Sequence, residues 1–293
     1  MFYSIGSAVL WATTGIFIKY LHAIPVGHLL WFRFLLAMML SVLIFAIGRR
    51  AIERGKLLAW RGFGLASLMT AYYIFATTAF SLAPVSLVVL VIAATPVIAF
   101  ILQFIKFRMY HLHQVVGFVV TLTGISIYVA IQSGNGNLVL SLTTWIGAAC
   151  ALGAACVRAL YAVIVWHQAL AGEKNTESNK GPDALLLSLK TVLLGSVICI
   201  PGLFIGSSPA LPDHFSLLML LGLAGIATVL PTLFNTLASA RIDPVLHNII
   251  CMSTPVLAGA FAWILLDEKQ SVWSVLAAGI IVLGIVISIR KKA

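Results

Sequence analysis

Ser81–Val97, SLAPVSLVVLVIAATPV, decides the fold, because a degenerate copy of it returns as Arg241–Val256, RIDPVLHNIICMSTPV. In each copy a proline, Pro84 or Pro244, opens an apolar run at the first helical turn, where a missing N–H costs nothing. A second proline, Pro96 or Pro255, falls inside the run. It deprives the carbonyl four residues back, that of Ile92 or Cys251, of its helical donor and bends the segment. In lipid such a carbonyl must find another protein group or cavity water. Kinked helices at corresponding positions of two halves are the pattern of a transporter repeat around a shared midplane site. Mid-membrane prolines also occur in purely structural helices.

The rest of the chain agrees with a membrane setting. Hydrophobic residues make up 61% and charged residues 9%, with a mean hydropathy of +1.10. Soluble domains are about 45–50% apolar and 25% charged, so the composition predicts an integral membrane protein. The net charge of +10 is spread over short loops rather than gathered on one surface, which excludes nucleic acid as a partner. Cys150, Cys156, Cys199 and Cys251 lie in apolar runs without metal-ligand or disulfide spacing. No metal and no cofactor is expected. The first apolar run lacks a basic leader and a cleavage signal and is expected to be a retained helix.

Ten apolar runs are long enough to cross a hydrocarbon core, which takes about 17–25 residues. They are Phe2–Tyr20, Val26–Ile47, Leu57–Phe80, Pro84–Ile105, Gln114–Ile131, Thr143–Trp166, Ala184–Ile205, Phe215–Ala238, Pro244–Leu266 and Val272–Ile289. The expected fold is therefore all-α, with ten transmembrane helices. Arg49, Arg50, Arg54, Lys56, Lys106, Arg108, Lys174, Lys180 and Arg241 fall in alternate loops, joined by Arg290, Lys291 and Lys292 in the tail. Basic residues collect on the cytoplasmic side, so both termini are predicted inside, as is a flexible loop from His167 to Asp183. The break at Ser133–Asn137, SGNGN, leaves five helices on each side. Two repeats follow, residues 1–136 and 137–293, and an odd helix number makes them inverted. Arg108 stands where Glu268 stands in the second copy, as expected if one loop is inside and the other outside.

With these features the chain resembles the drug/metabolite transporter superfamily, in its ten-helix EamA-type branch of metabolite exporters. The resemblance is carried by VLWATTGIFIK at Val9–Lys19, WFRFLLAMML at Trp31–Leu40, the two TPV helices, and LLDEKQSVWSVLAAGIIVLGIVI at Leu265–Ile287. It departs at Arg108, where many members carry glutamate. The resemblance implies secondary transport of small metabolites, commonly amino acids, and a central cavity lined by helices 1, 3, 4, 6, 8 and 9. It also implies a plasma membrane location, here expected to be bacterial and inner, and a monomer or homodimer.

Candidate site residues come from depth and helical spacing. Arg158 lies well inside the sixth run, on a face of small residues, Gly147, Ala151, Ala154, Ala155 and Ala162. An arginine so deep is costly and marks a pathway or a paired site. The alternative is a structural arginine bonded to carbonyls freed by proline. Arg33 sits on an apolar face within snorkelling reach of the interface and is expected to be structural. Polar stripes mark further inward faces: Ser4, Ser7, Trp11 and Thr14; Thr70, Tyr73 and Thr77; Thr228, Thr232, Asn235 and Ser239; His247, Cys251 and Thr254. From these, substrate contact is expected at Trp11, Thr14, Tyr73, Thr77, Arg158, Asn235 and His247, with Pro96 and Pro255 as kinks.

All eight acidic residues lie outside the apolar runs. A buried carboxylate is the usual proton relay and the usual partner of a cation. The sequence therefore points to a facilitator or exchanger of small solutes bearing a carboxylate or phosphate, most simply amino acids or their derivatives. Proton-coupled efflux of cationic drugs is the competing expectation. An intramembrane enzyme would need a constellation such as HExxH, which is missing.

Overall fold

The computed structural model describes residues 1–21, 23–47, 62–83, 85–107, 112–132, 141–174, 184–204, 213–266 and 272–289. Pro84, Arg108, Glu268 and the Ser133–Asn137 break lie outside them, as do most loop and tail cations. Among the described residues the secondary structure is helical throughout, and each apolar run coincides with a helix or a broken helix.

The helices are α1 (Phe2–Ala12, resumed by Thr14–Tyr20), α2 (Val26–Ile47), α3 (Phe63–Leu82), α4 (Val85–Ile92 and Thr95–Phe107) and α5 (Leu112–Gln132). They are followed by α6 (Leu142–Lys174), α7 (Ala184–Ile198 with a 3₁₀ turn Ile200–Phe204) and α8 (His214–Ala224, a π-helical turn Gly225–Val229, Leu230–Ser239). The last two are α9 (Pro244–Cys251 and Thr254–Leu266) and α10 (Val272–Ile289). Five of them, α2, α3, α6, α7 and α8, are long and apolar enough to cross a membrane by length and composition; the others contribute shorter apolar helices. Large apolar side chains such as Leu43, Val119, Trp263 and Leu276 are exposed on the outer surface, as lipid contact allows. The first part of the loop predicted from His167 to Asp183 is helical, because α6 continues to Lys174, and the rest of it lies outside the described residues.

Both TPV breaks carry their own remedy. The Thr95 hydroxyl donates to the carbonyl of Ile92, and the Thr254 hydroxyl donates to that of Cys251 at 2.7 Å. These are the carbonyls that Pro96 and Pro255 strip of a donor, so the residue before each proline satisfies them in place of cavity water. Ser or Thr back-bonding of this kind also bends a helix. In α8 a third proline, Pro231, frees the carbonyl of Ala227, where the chain widens into its π-helical turn.

Packing sorts the helices. α5 lies against α10, with Gly117, Gly124 and Gly284 at the contact; a Cβ on Gly284 would sit 2.6 Å from the backbone nitrogen of Thr121. Such close approach is what small residues give membrane helices. α2 packs on α7, α3 on α6, and α1 on α8 and α9. Asp243 caps α9 through the amides of Val245 and Leu246 and also accepts from Gln103 of α4 and Gln114 of α5, each at 3.2 Å. One carboxylate thus ties the start of α9 to two helices of the first half.

Candidate substrate-binding site

A cavity of about 930 Å³, its mouth included, is lined by α1, α3, α4, α6 and α9, with Arg33 of α2 in its wall. That is room for one metabolite-sized molecule. Its lining comes from the C-terminal halves of α1 and α3 and from the two proline breaks. The breaks turn backbone and side chains away from regular helix where the cavity lies.

Arg158 is 5% exposed and lies on the alanine face of α6, where Ala151, Ala154, Ala155 and Ala162 are all buried. Because these neighbours end at Cβ, they leave the guanidinium room to lie under the rings of α1 and α3. Its carbon is 4.3 Å from the Trp11 ring centroid and 5.8 Å from that of Tyr72. Aromatic faces attract a buried cation, yet Nε and Nη2 of Arg158 have no hydrogen-bond partner. Arg158 does not use the carbonyls freed by proline, which are already taken. Among the described residues lining the cavity there is no carboxylate.

Arg33 is a contrasting case. It is 2% exposed and does not snorkel. Nε donates to Thr228 Oγ1 at 2.7 Å, Nη1 to Thr77 Oγ1 at 3.2 Å and Nη2 to the Ala227 carbonyl at 2.9 Å, with the Tyr73 ring 4.5 Å from the guanidinium carbon. The expectation of an interfacial side chain fails because the π-helical turn of α8 offers acceptors at depth. Arg33 is saturated by protein; Arg158 is not.

The structure gathers Trp11, Thr14, Tyr73, Thr77, Arg158, Pro96 and Pro255 around the cavity. Tyr73 is spent on structure, since its hydroxyl lies 2.7 Å from Thr232 Oγ1 and 3.1 Å from the Thr228 carbonyl and receives the Trp11 indole N–H at 3.4 Å. Asn235 and His247, also expected to meet substrate, are not among the residues that line this cavity. His247 Nε2 lies 2.9 Å from Asn235 Oδ1, and Nδ1 lies 2.9 Å from Ser4 Oγ. An amide oxygen only accepts, so Nε2 of the imidazole carries a proton and donates it to Asn235. Most of the α8 stripe is used this way: Thr228 and Thr232 hold Arg33 and Tyr73 and Asn235 holds His247, whereas Ser239 Oγ is buried without a partner among the described residues. Hence α8 supplies no lining residue, against the expectation for helix 8.

Two segments of the sequence, residues 1–130 and 145–290, match the EamA-like transporter family. The chain belongs to this family. EamA-like proteins are membrane transporters of small molecules rather than enzymes, and the apolar helices agree with an integral membrane protein. A solved structure described only as the crystal structure of a protein superposes with a TM-score of 0.79 at 16% identity, over 98% of this chain and 95% of that one. At that identity the likeness shows the fold alone. Among curated proteins none matches the sequence.

Two lining residues of this EamA-like chain were not singled out by helical stripes, Tyr72 and Asn248. Tyr72 is 7% exposed, with its ring 5.6 Å from that of Trp11. Asn248 is 2% exposed; its Nδ2 donates to the Pro244 carbonyl at 2.8 Å, and its Oδ1 has no partner. A signal for Asn248 was present in the repeat itself, where His247-Asn248 stands against the wholly apolar stretch Leu87–Val89 of the first copy.

Proposed function

We propose that this EamA-like protein is a secondary transporter, a facilitator or exchanger, of small solutes carrying a carboxylate or phosphate, with amino acids and their derivatives foremost. The observation that carries this is Arg158, a buried cation in a cavity wall, held by aromatic faces and with two N–H edges unbonded. A guanidinium offers carboxylate or phosphate a planar, two-pronged contact, and Trp11 and Tyr72 offer apolar surface beside it. The chain crosses the bacterial plasma membrane ten times as two inverted repeats, with both termini in the cytoplasm, and works by alternating access around this cavity. The positions of the lysines and arginines support that orientation. Lack of a carboxylate in the described lining speaks against cationic drugs as cargo.

Counterflow in liposomes tests this. Protein loaded with unlabelled amino acids, nucleotides or sugar phosphates should accumulate the labelled form of one anionic or zwitterionic class, and lose that ability in Arg158→Gln. Uptake of a quaternary ammonium compound driven by an imposed pH gradient, with no anion exchange, would overturn it.

A further inference from the structure

Asn248 gives the cavity a second polarity. Its amide has two ends, and the structure fixes which way they point. The Pro244 carbonyl can only accept, so the Nδ2 end faces it, at 2.8 Å. Oδ1 is thereby left as an acceptor in a residue that is 2% exposed, lines the cavity, and meets no donor of the protein. A buried acceptor without a donor is expensive. Counted from the opening prolines Asn248 corresponds to Val88, and counted from the TPV prolines to Val89; the first repeat is apolar in either register, so the fold does not require a polar group at this place. Thr14 Oγ1 is a further unpartnered hydroxyl of the same lining.

We infer that Asn248 Oδ1 is the acceptor for a cationic or neutral N–H donor on the transported solute, so that the preferred cargo is a zwitterion or amide-bearing acid rather than a simple carboxylate or phosphate. Resting on the assignment of Arg158 to the anionic end, this makes the lining bipolar: unbonded donors on α6 face the acid and an unbonded acceptor on α9 takes the amine. A carbonyl-type acceptor in place of a carboxylate suits reversible transport. It recognises an ammonium group through directed hydrogen bonds without adding a negative charge that would neutralise Arg158. The apolar remainder of the solute lies among Trp11, Tyr72 and Phe80, which the same lining supplies.

The test uses purified full-length protein and calorimetric titration with three pairs of compounds that differ only in the amine. They are L-phenylalanine with 3-phenylpropanoate, L-leucine with 4-methylpentanoate, and L-threonine with 3-hydroxybutanoate. In at least one pair the amino acid should bind about tenfold or more tightly than its partner, the margin of a hydrogen bond to a charged group. Asn248→Leu should bring that pair to within about twofold of each other by weakening the amino acid alone. Asn248→Thr serves as the second variant: its hydroxyl keeps the bond to the Pro244 carbonyl while withdrawing the acceptor from the cavity, and it should lose the same preference. Equal binding within every pair by the unaltered protein, or a preference that survives both substitutions, overturns the assignment of Asn248. If those equal affinities still fall in Arg158→Gln, the anion reading stands and Asn248 alone is refuted. If no member of any pair binds, the assignment of Asn248 falls, and counterflow with nucleotides and sugar phosphates decides the anion reading.

Discussion

Nη2 of Arg33 lies 2.9 Å from the carbonyl of Ala227, the one that Pro231 leaves without a helical donor. An arginine of α2 thus supplies what a proline of α8 removes, and the interaction joins two helices that are far apart in sequence. Arg33→Leu should destabilise the protein by about 3 kcal/mol, since it strands that carbonyl, takes a donor from Thr77 and leaves Thr228 only its bond to the Leu223 carbonyl. Pro231→Ala restores a backbone donor to Ala227, so the two substitutions should be less than additive. Reversible unfolding in mixed micelles measures both, and strict additivity would show that Arg33 acts elsewhere.

Arg158 should behave differently. Its Nε and Nη2 have no protein acceptor to lose, only the Trp11 and Tyr72 rings, so Arg158→Ala should weaken binding by about ten- to a hundredfold while the protein still folds. Arg158→Lys should rescue part of this, because an ammonium lacks the flat fork that matches a carboxylate. Unchanged affinity in the alanine variant would make the residue structural.

His247 sits between Asn235 and Ser4, outside the cavity. His247→Ala should cost about 1–2 kcal/mol of stability through two lost interhelical bonds and leave substrate affinity within about twofold of normal. Transport should not be driven by a pH gradient, because the described lining has no acid to carry the proton. Accumulation that follows an imposed pH gradient and vanishes in His247→Ala is the contrary result.

Two glycines should separate stability from transport. A Cβ at Gly284 would meet the Thr121 hydroxyl at 2.3 Å, so Gly284→Val should pry α5 from α10 at a cost of about 1–3 kcal/mol. Gly15 lines the cavity and a Cβ there meets nothing within 4 Å. Gly15→Phe should therefore fold normally and obstruct transport; melting temperature and counterflow rate, measured side by side, decide.

Orientation can be read from intact cells. In a variant freed of its native cysteines, a cysteine placed at Asn175, in the loop after α6, should resist a membrane-impermeant thiol reagent added from outside. Labelling there would invert the assigned topology.

The sequence made the helices and the cavity's position legible because prolines, small faces and deep cations obey local rules. Pro96, Pro255 and Arg158 announce themselves by depth alone, and all three line the cavity. A polar stripe, by contrast, states that a face is turned inward but not whether protein or solute satisfies it. Asn235 and His247 look as accessible in sequence as Thr14, yet their partners are each other and a serine 243 residues away in the chain. Arg33 was hidden for the same reason, since its acceptors come from a π-helical turn that no periodicity signals.

The two threonines before Pro96 and Pro255 have a mechanical meaning. Each elbow carries the donor for its own freed carbonyl, so neither carbonyl depends on a neighbouring helix, although Thr254 also reaches the Ala8 carbonyl of α1 at 3.5 Å. The elbow in α8 is built the other way, bolted by Arg33 to α2. The fold therefore has two elbows at the cavity that satisfy their own carbonyls from within and one behind it that relies on a second helix.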